Sequence, residues 1–170
     1  MAMESLSKLM EDELKDLYNA ENQLLKALPK MAKKASSSTL GKAFTSHLKE
    51  TEGHVKRLET IGKTLDISLS GKKCKAMEGL IEEGKEVLEE EGKSAVIDAA
   101  LIGAAQRVEH YEIAAYGTVR AMAEQLGHEE VVELLQETLD EEGEADKKLT
   151  AIALEEVLTE AATGGTETDE

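Results

Sequence analysis

The stretch Gln106–Gly117, QRVEHYEIAAYG, decides the fold. It lies in a long proline-free segment of helical character. Within it Glu109 and Glu112 are three residues apart and share one face of a helix. That face is otherwise apolar, with Leu101, Ala105, Val108, Ile113 and Tyr116 on or beside it. Carboxylates on a core-facing stripe are costly to bury unless something neutralises them. The segment must therefore pack where other groups compensate its acids.

The whole composition agrees with a helical setting. The chain has 170 residues, enough for one domain with a real core, and Pro29 is its only proline. Hydrophobic residues make up 41%, mostly Leu and Ala, and β-branched runs and aromatic clusters are missing. Strands have little to build on, and an all-α protein is expected. A formal charge of −16 argues against a nucleic-acid partner and against an anionic membrane surface. Cys74 is the only cysteine, which excludes an intrachain disulfide. No 18-residue apolar run is present and the N-terminus MAMESLSKLMEDEL has no signal-peptide core, so a cytoplasmic location is expected.

Outward from the central stretch, three other long segments show a comparable pattern. Residues 4–34 read as the first helix, with Met10, Leu14, Leu17, Leu24, Leu28 and Met31 on one stripe and Glu21 interrupting it. Pro29 predicts a kink or local break near its end. Ser36, Ser37, Ser38 and Thr39 mark a turn and offer N-caps for the next helix. Residues 39–65 read as the second helix, on the stripe Phe44, His47, Thr51, His54, Leu58, Ile61 and Leu65, with Glu50 beside it. After a loop-like DISLSGKKCK, residues 76–91 read as a shorter helix. Residues 94–125 form the third long helix, which carries the central stretch and stops at Gly127. Residues 128–159 form the fourth, on the stripe Leu135, Leu139, Glu142, Asp146, Leu149 and Ala153. The domain is expected over 1–160, followed by a disordered acidic tail over 161–170.

Short turns make helices 1 and 2, and helices 3 and 4, antiparallel pairs. The connection over 66–94 joins the pairs and must run the bundle's length, about 40 Å for a helix of this size. One long crossover between two helical hairpins is the connectivity of ferritin-like bundles, here with a short extra helix in the crossover.

In such a bundle the midpoints of the four long helices share one layer. Glu21, then Glu50 with His47 and His54, then Glu109 with Glu112, then Glu142 with Asp146 converge there. Like charges at that proximity cannot all stay ionised, and two metal cations solve the problem. Carboxylate oxygen and imidazole nitrogen suit iron or manganese, and the lack of paired cysteines argues against structural zinc or an iron–sulfur cluster. The expected ligands are Glu21, Glu50, His54, Glu109, Glu112, Glu142 and Asp146, with His47 the alternative histidine. Asp146 is short enough to reach a metal only through water. Glu141 lies off the stripe and is left out, and His110 points about 100° away from Glu109. Tyr18, Tyr111 and Tyr116 read as core residues, with Tyr18 one turn from Glu21 and able to hydrogen-bond a ligand. Cys74 reads as a small buried or half-buried residue.

The blocks ELKDLYNAENQLLKALPKM, HLKETEGHVKRLE, KKCKAMEGLIEEGKE, QRVEHYEIAAYG and TLDEEGEADKKL, in this order, resemble the YciE/YciF family of bacterial ferritin-like proteins over about residues 4–155. The resemblance implies a four-helix bundle with a crossover helix, a homodimer and a di-iron carboxylate centre. In it Glu109 and Glu112 supply one terminal and one bridging carboxylate, and Glu50 or Glu142 the other bridge. The chain departs from the usual Glu-x-x-His of a ferritin-like second helix, since Gly53 stands three after Glu50. The implied chemistry is oxidation of ferrous iron by O2, or reduction of hydrogen peroxide, in a stress response. Two irons giving one electron each match the two electrons that peroxide reduction needs. The rival expectations are metal held only for stability in a helical stress protein that works through contacts, and a manganese catalase-like centre.

Overall fold

The structure is a computed structural model that describes residues 4–163. The secondary structure of the described residues is helical, without strands. The long helices are α1 (Leu6–Lys34), α2 (Ser38–Thr64), α4 (Ser94–Gln125) and α5 (Glu129–Ile152). The crossover carries α3 (Lys75–Glu89). A π-helical turn at Ala153–Val157 links α5 to the short α6 (Leu158–Thr163). Among the described residues, no helix is long and apolar enough to cross a membrane.

Helices α1 and α2 pack as one hairpin and α4 and α5 as the other. The hairpins meet through α1 on α4 and α2 on α5, and α3 lies against α1 and α4. This is the ferritin-like bundle expected from the long crossover.

The helix ends follow local chemistry. Ser5 caps α1 by accepting from the Lys8 amide at 3.1 Å, and Ser37 caps α2 by accepting from the Leu40 amide at 3.2 Å. The turn between them is also held from outside. Buried Asp98 on α4 accepts the Ser36 amide at 2.9 Å and the Ser37 amide at 2.7 Å, and Glu156 in the π turn accepts the Ser37 hydroxyl at 2.5 Å. Gly127, at φ 74°, ends α4 as expected: the His128 amide donates back to the Ala123 carbonyl at 3.0 Å. In the last turn of α2, Gly62 lets the crossover pack closely: a Cβ there would meet the Leu69 side chain at 3.1 Å.

Three expectations change. Helix α1 runs unbroken through Pro29 to Lys34. Pro29 is exposed, where water can replace the backbone bond it cannot donate. The fourth helix is not uniform to residue 159 but widens into the π turn, a feature that no glycine or proline marks. The chain from 161, expected as disordered tail, continues as helix to Thr163, favoured by Ala161 and Ala162. The remainder of that tail lies outside the described residues.

The core is divided. One cluster, with Leu24, Leu28, Leu40, Phe44, Leu101 and Ile152, fills one end of the bundle. Another, with Leu14, Leu17, Leu58, Ile61, Tyr116 and Leu135, fills the other. Between them lies a layer of buried polar side chains: Glu21, His47, Thr51, His54, Glu109, Glu112 and Glu142.

Candidate metal centre

Every long helix contributes to this layer from its own midpoint, because each polar residue occupies a place in a three-and-four apolar stripe. Glu21 stands between Leu17 and Leu24 on α1, and Glu142 follows Leu135 and Thr138 on the buried line of α5. Glu109 and Glu112 both face inward from α4, at 2% and 0% exposure. On α2 the inward line runs His47, Thr51, His54, so both histidines enter the layer together.

Ligating atoms form two groups. His47, Glu109, Glu112 and Glu142 make one, and Glu21, His54 and Glu142 the other, with the ligating atoms of each group mutually within 4.8 Å. Glu142 belongs to both. Its Oε1 is 3.0 Å from His54 Nδ1 and its Oε2 is 3.6 Å from His47 Nε2. Glu21 Oε1 lies 3.3 Å from His54 Nδ1, and Glu109 Oε1 lies 3.3 Å from His47 Nε2.

The outward nitrogen of each histidine is held by a carboxylate on the periphery. His47 Nδ1 faces Glu50 Oε2 at 3.1 Å, and His54 Nε2 faces Glu141 Oε2 at 2.9 Å. Arg57 anchors Glu141 through bonds of 2.6 and 2.8 Å. An N–H donated outward leaves the inward lone pair free to ligate, and such supporting carboxylates orient and strengthen a metal-binding imidazole. Glu141→Gln should therefore weaken divalent-metal affinity about 10- to 100-fold while leaving the stoichiometry intact, as read by calorimetric titration.

The electrostatics show what the layer lacks. Burial, reinforced by neighbouring carboxylates, pushes Glu109 and Glu112 well above the usual carboxylate range. Burial also raises Glu21, against the opposing pull of His54. Glu142 is the exception. Burial pushes it up, but contacts with His54 and Glu109 and the nearby His47 outweigh that and hold it low. Burial opposes charge on His54, yet Glu142 and Glu21 raise it to about 10. Many inward atoms have no well-aligned hydrogen bond, though some approach one another within the layer: both oxygens of Glu112 and of Glu142, Glu109 Oε2, Glu21 Oε2, His47 Nε2, His54 Nδ1 and Thr51 Oγ1. Buried polar atoms are normally paired. A set of oxygen and imidazole donors, orphaned and converging, fits metal cations.

Of the seven residues expected from the sequence, the structure brings Glu21, His54, Glu109, Glu112 and Glu142 together. It does not bring in Glu50 or Asp146. Glu50 is 39% exposed and touches the centre only through His47. Asp146 turns toward α4, where the Gln106 amide donates to it at 3.0 Å and His110 Nε2 lies at 3.3 Å. The buried line of α5 passes from Glu142 to Leu149, and Asp146 lies off it. Tyr18 donates to Glu59 at 3.1 Å rather than to Glu21. That place is taken by Tyr116, whose hydroxyl donates to Glu21 Oε1 at 2.5 Å. The sequence pattern marks Tyr116 only as a core residue and leaves Glu141 off the stripe. The spacing of His54 and Arg57, one turn apart on α2, was an available sign that an acid opposite them would be held.

Two helical hairpins joined by a crossover, with a buried carboxylate–imidazole layer at mid-height, define a ferritin-like bundle with a candidate metal centre. The chain belongs to the DUF892 family, described as a domain of unknown function, whose family model matches residues 5–162. It is similar to protein YciF of Escherichia coli K12, with 46% identity over 162 residues, covering 95% of this chain and 98% of the relative. The crystal structure of the E. coli stress protein YciF superposes with a TM-score of 0.87 at 47% identity, over 89% of this chain and 96% of that one. YcfI of Rhodopseudomonas palustris gives 0.86 at 44% identity, with the same coverage of 89% and 96%. A Xanthomonas campestris protein at 18% identity shares the fold alone, with a TM-score of 0.71 over 94% of this chain and 97% of that one.

Proposed function

We propose that the chain is a dinuclear iron protein that oxidises ferrous iron with O2 or reduces hydrogen peroxide, and that it acts in a stress response. The observation that carries this reading is Glu142, shared by two groups of buried donors, each of which includes atoms without a hydrogen-bond partner. His47, Glu109, Glu112 and Glu142 would hold one ion, and Glu21, His54 and Glu142 the other. Iron bound in such a site supplies one-electron redox steps, two of which match the two-electron reduction of a peroxide bond.

The chain's own residues prepare the site. Glu50 and Glu141 fix the two imidazole planes, so that Nε2 of His47 and Nδ1 of His54 face inward. His54 carries a proton on each nitrogen when protonated and must release the one on Nδ1 to ligate. Loading therefore frees protons into the medium and tightens as pH rises. Tyr116 orients Glu21 through its hydroxyl. The apolar clusters above and below exclude water and strengthen every charge interaction between them. The stress role is supported by the description of the E. coli relative as a stress protein.

A second reading has its own support, since the R. palustris neighbour is described as a candidate structural protein. On it, metal would only stabilise the bundle. Anaerobic titration of the metal-free chain with ferrous iron, followed by O2, separates the two. Two irons per chain and rapid O2 consumption with a new ferric absorption band are expected. Iron binding without any O2 or peroxide consumption would leave the structural reading.

A further inference from the structure

A buried centre needs an entry route. Between α2 and α5 a cleft of about 520 Å³ runs from the surface to the polar layer. His47 and Glu109 form its floor, Ala43, Phe44 and Ala145 part of its walls, and Glu50, Asp140 and Glu144 line it closer to solvent. Each of these two floor residues carries a buried atom without a hydrogen-bond partner, His47 Nε2 and Glu109 Oε2, on side chains only 8% and 3% exposed. The cleft thus ends on the residues that carry orphaned donors of the first group.

Its charge is also suited to cations. Lys147 and Lys148 line the same cleft, Lys147 pairs with Glu144 at 2.7 Å, and Glu141 is engaged by Arg57. Carboxylates nevertheless outnumber ammonium groups along the walls. The cleft between α1 and α3 offers the opposite setting. It is about 250 Å³, otherwise largely apolar, bordered by Lys26, Lys30 and Lys85, and reaches Val108 but none of the grouped donors. A net excess of one sign of charge along a cleft raises the local concentration of the opposite ion.

We infer that divalent metal ions load the centre through the α2–α5 cleft, with Glu50 the last open carboxylate before His47 and Glu109 receive the ion. The inference rests on the metal-centre reading. Glu50 has the position for a hand-over: it is 39% exposed toward the cleft, and it touches His47 Nδ1 at 3.1 Å. An ion moving inward along this line can exchange water for carboxylate oxygen in steps, from Asp140 and Glu144 to Glu50.

The test is the rate at which the metal-free full chain takes up Co²⁺, followed by stopped-flow absorbance, with final cobalt per chain measured separately. Ala145→Phe narrows the cleft without touching a grouped donor. It should slow loading at least about tenfold and leave the final stoichiometry unchanged. The double variant Asp140→Asn, Glu144→Gln should slow loading about three- to tenfold at low ionic strength, and that difference should disappear in high salt. Ala27→Phe, which fills the α1–α3 cleft, should load at the wild-type rate. Wild-type rates in both the narrowed and the charge-reduced variants would overturn the route while leaving the centre standing. If Ala145→Phe does not fold, the charge-reduced variant decides alone. A wild-type chain that takes up no cobalt sinks the centre and the route together.

Discussion

On the proposed dinuclear reading, Glu142→Gln should leave one metal ion per chain at most, measured by elemental analysis after gel filtration. The substitution keeps the side-chain volume, so no cavity opens in a core that is close-packed around it. It removes the only carboxylate common to both donor groups, the one with an oxygen turned toward each histidine. It also removes the carboxylate of the layer that His54, Glu109 and His47 keep ionised in the metal-free chain. An incoming cation would otherwise meet that charge already in place. Loss of a supporting partner costs about 10- to 100-fold in metal affinity, and loss of a shared ligand should exceed that range for the second ion. Two tightly bound ions in the variant would show that Glu142 is not shared.

Glu112→Gln should move stability in opposite directions with and without metal. Glu112 is completely buried, and neither of its oxygens has a partner. Burial raises its pKa well above the usual range, with the charges of Glu142, Glu21 and Glu109 adding to the effect. A group whose folded-state pKa is raised contributes stability below its unfolded value, about 4.3 for glutamate, and loses it as pH rises through the folded value. Glu109 and Glu21 carry the same sign. His54, raised to about 10, also contributes most below its unfolded value, and its contribution is lost as pH rises through about 10. The metal-free wild type should therefore lose stability as pH rises from 5 to 8.

A glutamine at 112 does not titrate and carries no charge to desolvate. It should stabilise the metal-free chain at pH 7 by about 1–3 kcal/mol, a Tm increase of roughly 2–10 °C for a domain of this size. With metal the order reverses, because the variant binds more weakly and gains less from ligation. Thermal melts from pH 5 to 8, with chelator and with metal, provide the check. A metal-free variant no more stable than wild type would mean that the layer does not strain the apo bundle.

Much of the fold and part of the site are legible in the sequence. Periodicity placed the four long helices, because burial of Leu14, Leu58, Leu101 or Leu135 demands one face per helix. The same periodicity exposed Glu21, Glu109, Glu112 and Glu142, as charged residues in apolar positions. It overreached at Asp146, since a step of four from Glu142 is 40° past a full turn, enough to carry a short side chain toward Gln106. It could not decide between His47 and His54, whose separation of seven residues puts both on the inward line of α2. Glu141 was illegible for a different reason. Its role depends on Arg57 and His54 from another helix, and no pattern within α5 records them. The π turn depends likewise on distant partners, with Glu156 reaching Ser37 across the bundle end.

The divided core has a consequence for how the helices find their axial alignment. Leucine stripes are poor rulers: α1 slid by one turn along α2 or α4 would still meet apolar side chains at nearly every level. The polar layer removes that degeneracy. Any such slip would press Glu21 or Glu142 into an aliphatic cluster and leave a histidine facing leucine, a penalty the correct alignment alone avoids. The acids that weaken the metal-free bundle thus mark its register, one vernier line on each of four otherwise interchangeable scales.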